Sequence, residues 1–244
     1  PVKNSGGESR FRIPVRRLTR LTIAGTLLIG IALFLGAYLI YGSSIRSLTI
    51  ISRSAIPSRQ LDPEFSPDGR YLAFCSLGET ESNEDIYLQT TDQSQRIRLT
   101  SHPDADRNPV WSPDSKRVAF LRWSSDDRHT AKVFTIDIGG GAEEEIGRSQ
   151  GALGWMPDGQ HLVFNGIDTN RPESTVLFLV SLDGKERRQL TTSLTPGTID
   201  TMPRPARSLQ AIAFLRMTSS SRGDINLLDI PSGSVTQVTQ EDAL

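Results

Sequence analysis

Phe65-Ser66-Pro67-Asp68-Gly69-Arg70-Tyr71-Leu72-Ala73-Phe74 is the stretch that decides the fold, because it returns along the chain. Trp111-Ser112-Pro113-Asp114-Ser115-Lys116-Arg117-Val118-Ala119-Phe120 is its second copy, and Trp155-Met156-Pro157-Asp158-Gly159-Gln160-His161-Leu162-Val163-Phe164 is its third. A fourth copy keeps only its end, Gln210-Ala211-Ile212-Ala213-Phe214. The aligned starts at 65, 111, 155 and 205 lie 46, 44 and 50 residues apart, the size of one four-stranded blade.

The centre of each copy is a turn. Proline presets φ at the first corner, aspartate bonds its own backbone, and glycine accepts positive φ. The expected result is a hairpin in which Phe65, Trp111 or Trp155 faces the apolar residues that follow the turn. We therefore single out Phe65, Pro67, Asp68, Gly69, Trp111, Pro113, Asp114, Trp155, Pro157, Asp158 and Gly159 as structural turn residues. In the fourth copy Pro205-Ala206-Arg207-Ser208-Leu209 replaces the turn, which removes the chemistry that predicts a hairpin there.

A further strand follows each hairpin: Asp85-Ile86-Tyr87-Leu88, Val133-Phe134-Thr135-Ile136, Val176 to Val180, and Ile225-Asn226-Leu227-Leu228. Polar turns such as Asp183-Gly184 and Ser232-Gly233 lead on to an outer strand ending in Leu99-Thr100, Leu190-Thr191 or Val238-Thr239. Leu72 to Phe74, Val118 to Phe120 and Leu162 to Phe164 are apolar without alternation, so both of their faces need cover. Radially stacked blades provide it. No amphipathic helical pattern appears between Leu61 and Leu244, which argues against a βαβ fold. The predicted class is all-β: a propeller of four-stranded antiparallel blades, about four of them at 61–244, in an incomplete ring.

Net charge is −1, with 27 basic and 28 acidic residues, so the chain as a whole lacks the basic footprint of a nucleic-acid binder. The charge is nevertheless uneven. Lys3, Arg10, Arg12, Arg16, Arg17 and Arg20 stand against Glu8 alone in the tail at 1–20. The next stretch, Leu21 to Gly42, has 22 residues and no charge, and at about 1.5 Å per residue it spans the roughly 30 Å hydrocarbon layer. A cleaved signal peptide is disfavoured, since the run exceeds the roughly 7–15 residues of a signal core and GSSIRSL offers no cleavage pattern. The preceding positive charge predicts a cytoplasmic N-terminus, an inner-membrane span at 21–42, a stalk or closing strand at 43–60, and an extracytoplasmic propeller. Within that stalk, Ser47-Leu48-Thr49-Ile50-Ile51 reads as an outer strand.

The FSPDG, WSPDS and WMPDG turns, with their DIY-type strands and RRLT-type outer edges, resemble the repeats of TolB-like propellers over Leu61 to Leu244. That family carries more blades than the four counted here, and the chain begins with Pro1, so the expectation is a piece of a longer reading frame. Basic tail, span and propeller together resemble CadC-like transmembrane transcriptional regulators. The resemblance implies a non-enzymatic sensor that touches DNA only through a domain absent from this chain, with an unnamed protein or small-molecule ligand on the propeller. The same residues are compatible with a receptor kinase, with a membrane-anchored peptidase or hydrolase, and with a TolB-type envelope protein that contacts lipoprotein partners.

No catalytic, cofactor-binding or metal residues are expected. Gly147-Arg148-Ser149-Gln150-Gly151 fits G-x-S-x-G, but neither the strand before it nor the helix after it is predicted. Gly139-Gly140-Gly141 lacks the Lys-Ser/Thr of a phosphate loop. His102, His129 and His161 are scattered, and Asp104, Asp106 and Asp114 lack calcium-loop order. Cys75 follows an apolar strand and reads as core, while Glu143-Glu144-Glu145 reads as a solvated edge.

Overall fold

A computed structural model describes residues 60–77, 83–92, 95–193, 195–208, 210–219 and 222–239, all within the compact unit Ser52–Leu244. The basic tail, the apolar run at 21–42 and residues 43–59 lie outside the described residues. Among the described residues no helix is long and apolar enough to cross a membrane.

Among the described residues sixteen strands make up four successive four-stranded units. The first holds β1 (Gln60–Phe65), β2 (Tyr71–Leu77), β3 (Glu84–Thr90) and β4 (Arg96–Arg98). The second holds β5 (Ala105–Trp111), β6 (Arg117–Trp123), β7 (Ala131–Asp137) and β8 (Glu144–Ser149). The third holds β9 (Leu153–Trp155), β10 (His161–Ile167), β11 (Thr175–Ser181) and β12 (Arg187–Gln189). The fourth holds β13 (Ile199–Pro205), β14 (Ala211–Ser219), β15 (Arg222–Asp229) and β16 (Val235–Gln237). Neighbours within a blade are antiparallel, and one parallel pair, Thr175 with Ile199, links the third blade to the fourth.

The turn residues sit at the tips of the inner hairpins. Phe65 pairs with Leu72, Trp111 with Val118 and Trp155 with Leu162. Gly69 and Gly159 adopt φ of +71° and +69°, and Ser115 takes the same left-handed place at +62°. Ser66 and Ser112 donate to Asp68 and Asp114, each at 2.6 Å, and these hydroxyls also accept the amides of Tyr71 and Arg117. The Ser66 hydroxyl, ahead of the Arg70 amide, holds the Asp68 carboxyl down at about 2. Pro67, Pro113 and Pro157 occupy the first corners.

The fourth hairpin, which the sequence left open, is present. It forms without the Pro-Asp-Gly chemistry, Pro205 pairing with Ile212 and the Ala206 amide bonding the Ala211 carbonyl at 2.9 Å. Burial of Ile212 and Phe214 against the third blade supplies the register that the turn does not.

The second strands β2, β6 and β10 are buried on both faces, whereas β14 buries only Ile212 and Phe214 on one face; on β6 and β10 alternate residues serve different neighbours. On β6, Val118 and Phe120 pack with Ala73, Cys75, Ile86 and Leu88 of the first blade. Ala119 and Leu121 pack with Leu162, Phe164 and Val176 of the third. On β10, Leu162 and Phe164 turn back to the second blade, while Val163 joins Ile212, Phe214 and Leu228 of the fourth. Trp111 and Trp155 are buried by these interfaces, but Phe65 is 60% exposed, since no described blade precedes the first.

One outer-strand device recurs in three blades. The hydroxyls of Thr100, Thr191 and Thr239 accept the amides of Ile86, Leu177 and Ile225 at 3.0, 2.9 and 2.9 Å, fourteen residues apart each time. These threonines close the third strand where the short outer strand ends, so Thr191→Val leaves a buried amide without an acceptor. That substitution is expected to cost about 1–3 kcal/mol in denaturant unfolding, with a smaller loss for Thr239→Val at its exposed site. Gly154 lies against the fourth blade, where an added Cβ would stand 3.0 Å from the Pro203 carbonyl oxygen. Gly154→Ala is expected to cost about 1–3 kcal/mol by the same measurement, because that oxygen belongs to backbone and yields little.

Candidate binding site at the innermost strands

The innermost strands of all four blades meet around a cleft of about 510 Å³. Three of them enter it through the same backbone irregularity. Asp62, Asn108 and Met202 have φ of +52°, +54° and +51°, each is followed by a proline, and each sits in a register break of its inner hairpin. Asp and Asn tolerate the left-handed region, whereas Met202 is held there at a cost of about 1–2 kcal/mol. In the third blade Gly151, one place earlier in the repeat, takes a positive φ of +112° at the cleft without a register break. Proline is compatible with this place because the innermost strand is an edge and the bulge leaves its missing amide unneeded.

This feature was missed in the sequence, although a signal for it exists. Asp62-Pro63, Asn108-Pro109 and Met202-Pro203 each begin three residues before the hairpin position held by Phe65, Trp111 or Pro205. The bulges bring Asp62 and Glu64 from the first blade and Arg204 from the fourth into one cleft. Burial raises the Glu64 carboxyl above its ordinary value, and the Arg204 charge opposes the rise. Cys75 lies behind Asp62, with its thiol 3.4 Å from the Leu61 carbonyl and 3.6 Å from an Asp62 oxygen, and burial pushes it up to about 12. It is a protonated core side chain. The cleft thus offers acidic and basic groups on opposite blades, an arrangement suited to binding a polar ligand by both ends.

The other sequence candidates are structural. Ser149 ends β8 fully buried; its hydroxyl bonds the Ala152 carbonyl at 2.9 Å and the Asn165 side chain at 3.0 Å, and it also accepts the amides of Gly151 and Ala152. No helix follows it. Gly139 to Gly141 form the β7–β8 loop. The His102 ring accepts the Asp104 amide at 3.0 Å, His161 pairs with Asp158 at 2.8 Å, and His129 is exposed on a loop, so the three are not brought together. Among the described residues no three His, Cys, Asp or Glu side chains are grouped to hold a metal ion. Asp106 is fully buried in an ion pair with Arg122. Glu143 departs from its expected role as a solvated edge, since it reaches in to the same guanidinium at 2.6 Å.

Comparison with known proteins places this architecture. No known family profile matches the chain. The peptidase YuxL of Bacillus subtilis, itself uncharacterised, is 38% identical over 60 residues, 25% of this chain and 9% of its own length. The Tol-Pal system protein TolB of Wolinella succinogenes is 26% identical over 188 residues, 70% of this chain and 42% of its own. Among solved structures, TolB from Acinetobacter baumannii superposes with a TM-score of 0.62 at 22% identity, covering 75% of this chain and 44% of that one. A puromycin-hydrolysing peptidase of Mycobacterium tuberculosis gives 0.60 at 15% identity, covering 77% and 32%. The chain therefore spans less than half the length of these proteins. The expectation of a non-enzyme is overturned by these findings, because peptidases stand among both the relatives and the structural neighbours. The described residues have the TolB-like β-propeller fold.

The cleft yields one direct test. A carboxyl whose folded pKa is raised contributes stability below its ordinary value of 4.5 and loses it as pH climbs through the folded value. Glu64→Gln removes that loss, so its Tm is expected to exceed that of the parent by about 1–3 °C at pH 7 and to match it near pH 4. Equal melting temperatures at pH 7 would contradict a desolvated Glu64 charge.

Proposed function

We propose that this propeller is part of a membrane-anchored hydrolase of the peptidase kind, and that it receives the substrate while another segment of the protein supplies the bond-breaking groups. The observation that carries the reading is the recurrence of peptidases among the comparisons, from the matched segment of YuxL to the puromycin-hydrolysing fold neighbour. Two features of the molecule support it. Ser149, which has the only G-x-S-x-G setting noted in the sequence, is tied off because its hydroxyl accepts the Gly151 and Ala152 amides and places its single proton between the Ala152 carbonyl and Asn165 Oδ1, and no Ser, Thr or Cys pairs with a histidine among the described residues. The innermost cleft, with Asp62 and Glu64 facing Arg204, suits the dipolar backbone of a peptide. Anchoring rests on the uncharged run Leu21 to Gly42 and the basic residues before it.

The regulator arrangement expected from the sequence draws no support from the proteins named above, which are TolB proteins and peptidases. The match to TolB over 188 residues favours a second use of the same cleft, the docking of a partner protein in the cell envelope.

The test is activity-based labelling of the protein expressed from its complete reading frame. Covalent reaction with a fluorophosphonate, together with release of p-nitroaniline from aminoacyl or dipeptidyl anilides, is the expected result. Ser149→Ala is expected to leave both unchanged. Failure of the intact protein to react with the label or to cleave any of the anilides would overturn the hydrolase reading.

A further inference from the structure

The second and fourth blades carry one buried device at one place. Arg122 sends Nε and Nη2 to the two Asp106 oxygens at 2.7 and 2.8 Å, and Arg216 holds Asp200 at the same two distances. In both, acid and base are cross-strand partners of the inner hairpin. Each guanidinium also lies over a phenylalanine, Arg122 at 5.4 Å from the Phe120 ring centre and Arg216 at 5.3 Å from that of Phe214.

The repeat offset maps this pair onto Gln150 and Gly166 in the third blade, so both charges are gone from their usual positions. The cation has been replaced from elsewhere. Arg187, on the outermost strand β12, lays its guanidinium 3.9 Å from the ring centre of Phe178, which is itself the cross-strand partner of Phe164. It fills the space left by the missing side chain, since a Cβ on residue 166 would stand 2.8 Å from Arg187 Nη2. The carboxylate has no replacement: among the described residues no Asp or Glu forms an ion pair with Arg187. Burial accordingly lowers the Arg187 pKa with no acidic group to oppose it.

This guanidinium opens onto a cleft of about 670 Å³ beside Arg148, Gln150, Thr130 and Gln189. Arg148 has only a distant acidic neighbour, Asp127 at 4.0 Å, and stays available as a second cation. The Phe178 ring backs the Arg187 fork on one side, while the residue is otherwise exposed, so a ligand can reach it from solvent.

We propose that this cleft binds a ligand through a carboxylate, which takes in the third blade the place that Asp106 and Asp200 hold in the second and fourth. The molecule repeats its own precedent here: a planar fork over an aromatic ring, paired in two blades with both oxygens of one carboxylate. A carboxylate matches the fork at two points and leaves the neighbouring Arg148 to strengthen the pair. An acidic side chain and a peptide C-terminus present the same group. The site is separate from the innermost cleft and does not depend on the hydrolase reading.

The test titrates N-acetylglycine, glutaramic acid and inorganic phosphate into the full chain, reading dissociation constants from arginine Nε–H chemical shifts. Binding of at least one carboxylate is expected, with about a tenfold loss of affinity in Arg187→Gln and a smaller loss in Arg148→Gln, an exposed substitution that leaves packing intact. The exposed neighbour substitution Arg188→Gln is expected to change nothing. The tighter of N-acetylglycine and glutaramic acid identifies a chain terminus or an acidic side chain as the source. Unchanged affinity in both Arg187→Gln and Arg148→Gln, no binding of either carboxylate, or a clear preference for phosphate would overturn the proposal.

Discussion

A β-strand with apolar side chains on both faces cannot rest on one partner sheet. In this protein that requirement falls on the second strands of the first three blades, and the architecture follows from it. β6 gives Val118 and Phe120 to one neighbour and Ala119 and Leu121 to the other, while β10 divides Leu162 and Phe164 from Val163 in the same way. The interior is therefore a series of interface cores between consecutive blades. Several polar groups within this stack are paired in place, as the Arg122–Asp106 pair and the Thr100 and Thr191 bonds show, whereas the buried Trp155 Nε1 has no hydrogen-bond partner.

Much of this was legible in the sequence because it is local and repeated. Pro-Asp-Gly or Pro-Asp-Ser marks a turn by backbone chemistry alone, and three copies at blade spacing leave little freedom in the strands between them. The fourth hairpin was not legible, because Pro205 to Leu209 lacks those residues and its register comes from the burial of Ile212 and Phe214 against another blade. The Arg–Asp pairs were hidden for a related reason. Their members lie sixteen residues apart on facing strands, so they become a motif only once the register is known.

The innermost cleft was overlooked for a different reason. Its signal, a residue and a proline three places ahead of the turn aromatic, stands in plain view but upstream of the segment that attracts attention. Asp62, Asn108 and Met202 serve backbone geometry there, and only Asp62 also brings charge. A peptidase or hydrolase stood in the sequence only as an alternative to the regulator, and the comparisons favour that alternative. A fold shared by TolB and by peptidases assigns no chemistry by itself, and the groups that break a bond need not reside on the part that recognises the substrate.

Because apolar packing runs from each blade to the next, the described structure behaves as a short linear array rather than as one indivisible globule. In such an array cohesion is a property of junctions. The junction between the second and third blades buries the largest set of apolar side chains, and the one between the third and fourth the smallest. That last junction adds main-chain pairing, Thr175 with Ile199 and the Thr175 amide to the Thr198 carbonyl at 2.9 Å, so hydrogen bonding there makes up for the smaller apolar core. The cleft framed by Glu64 on one side and Arg204 on the other joins the first blade to the fourth, so its width is set by all three junctions together.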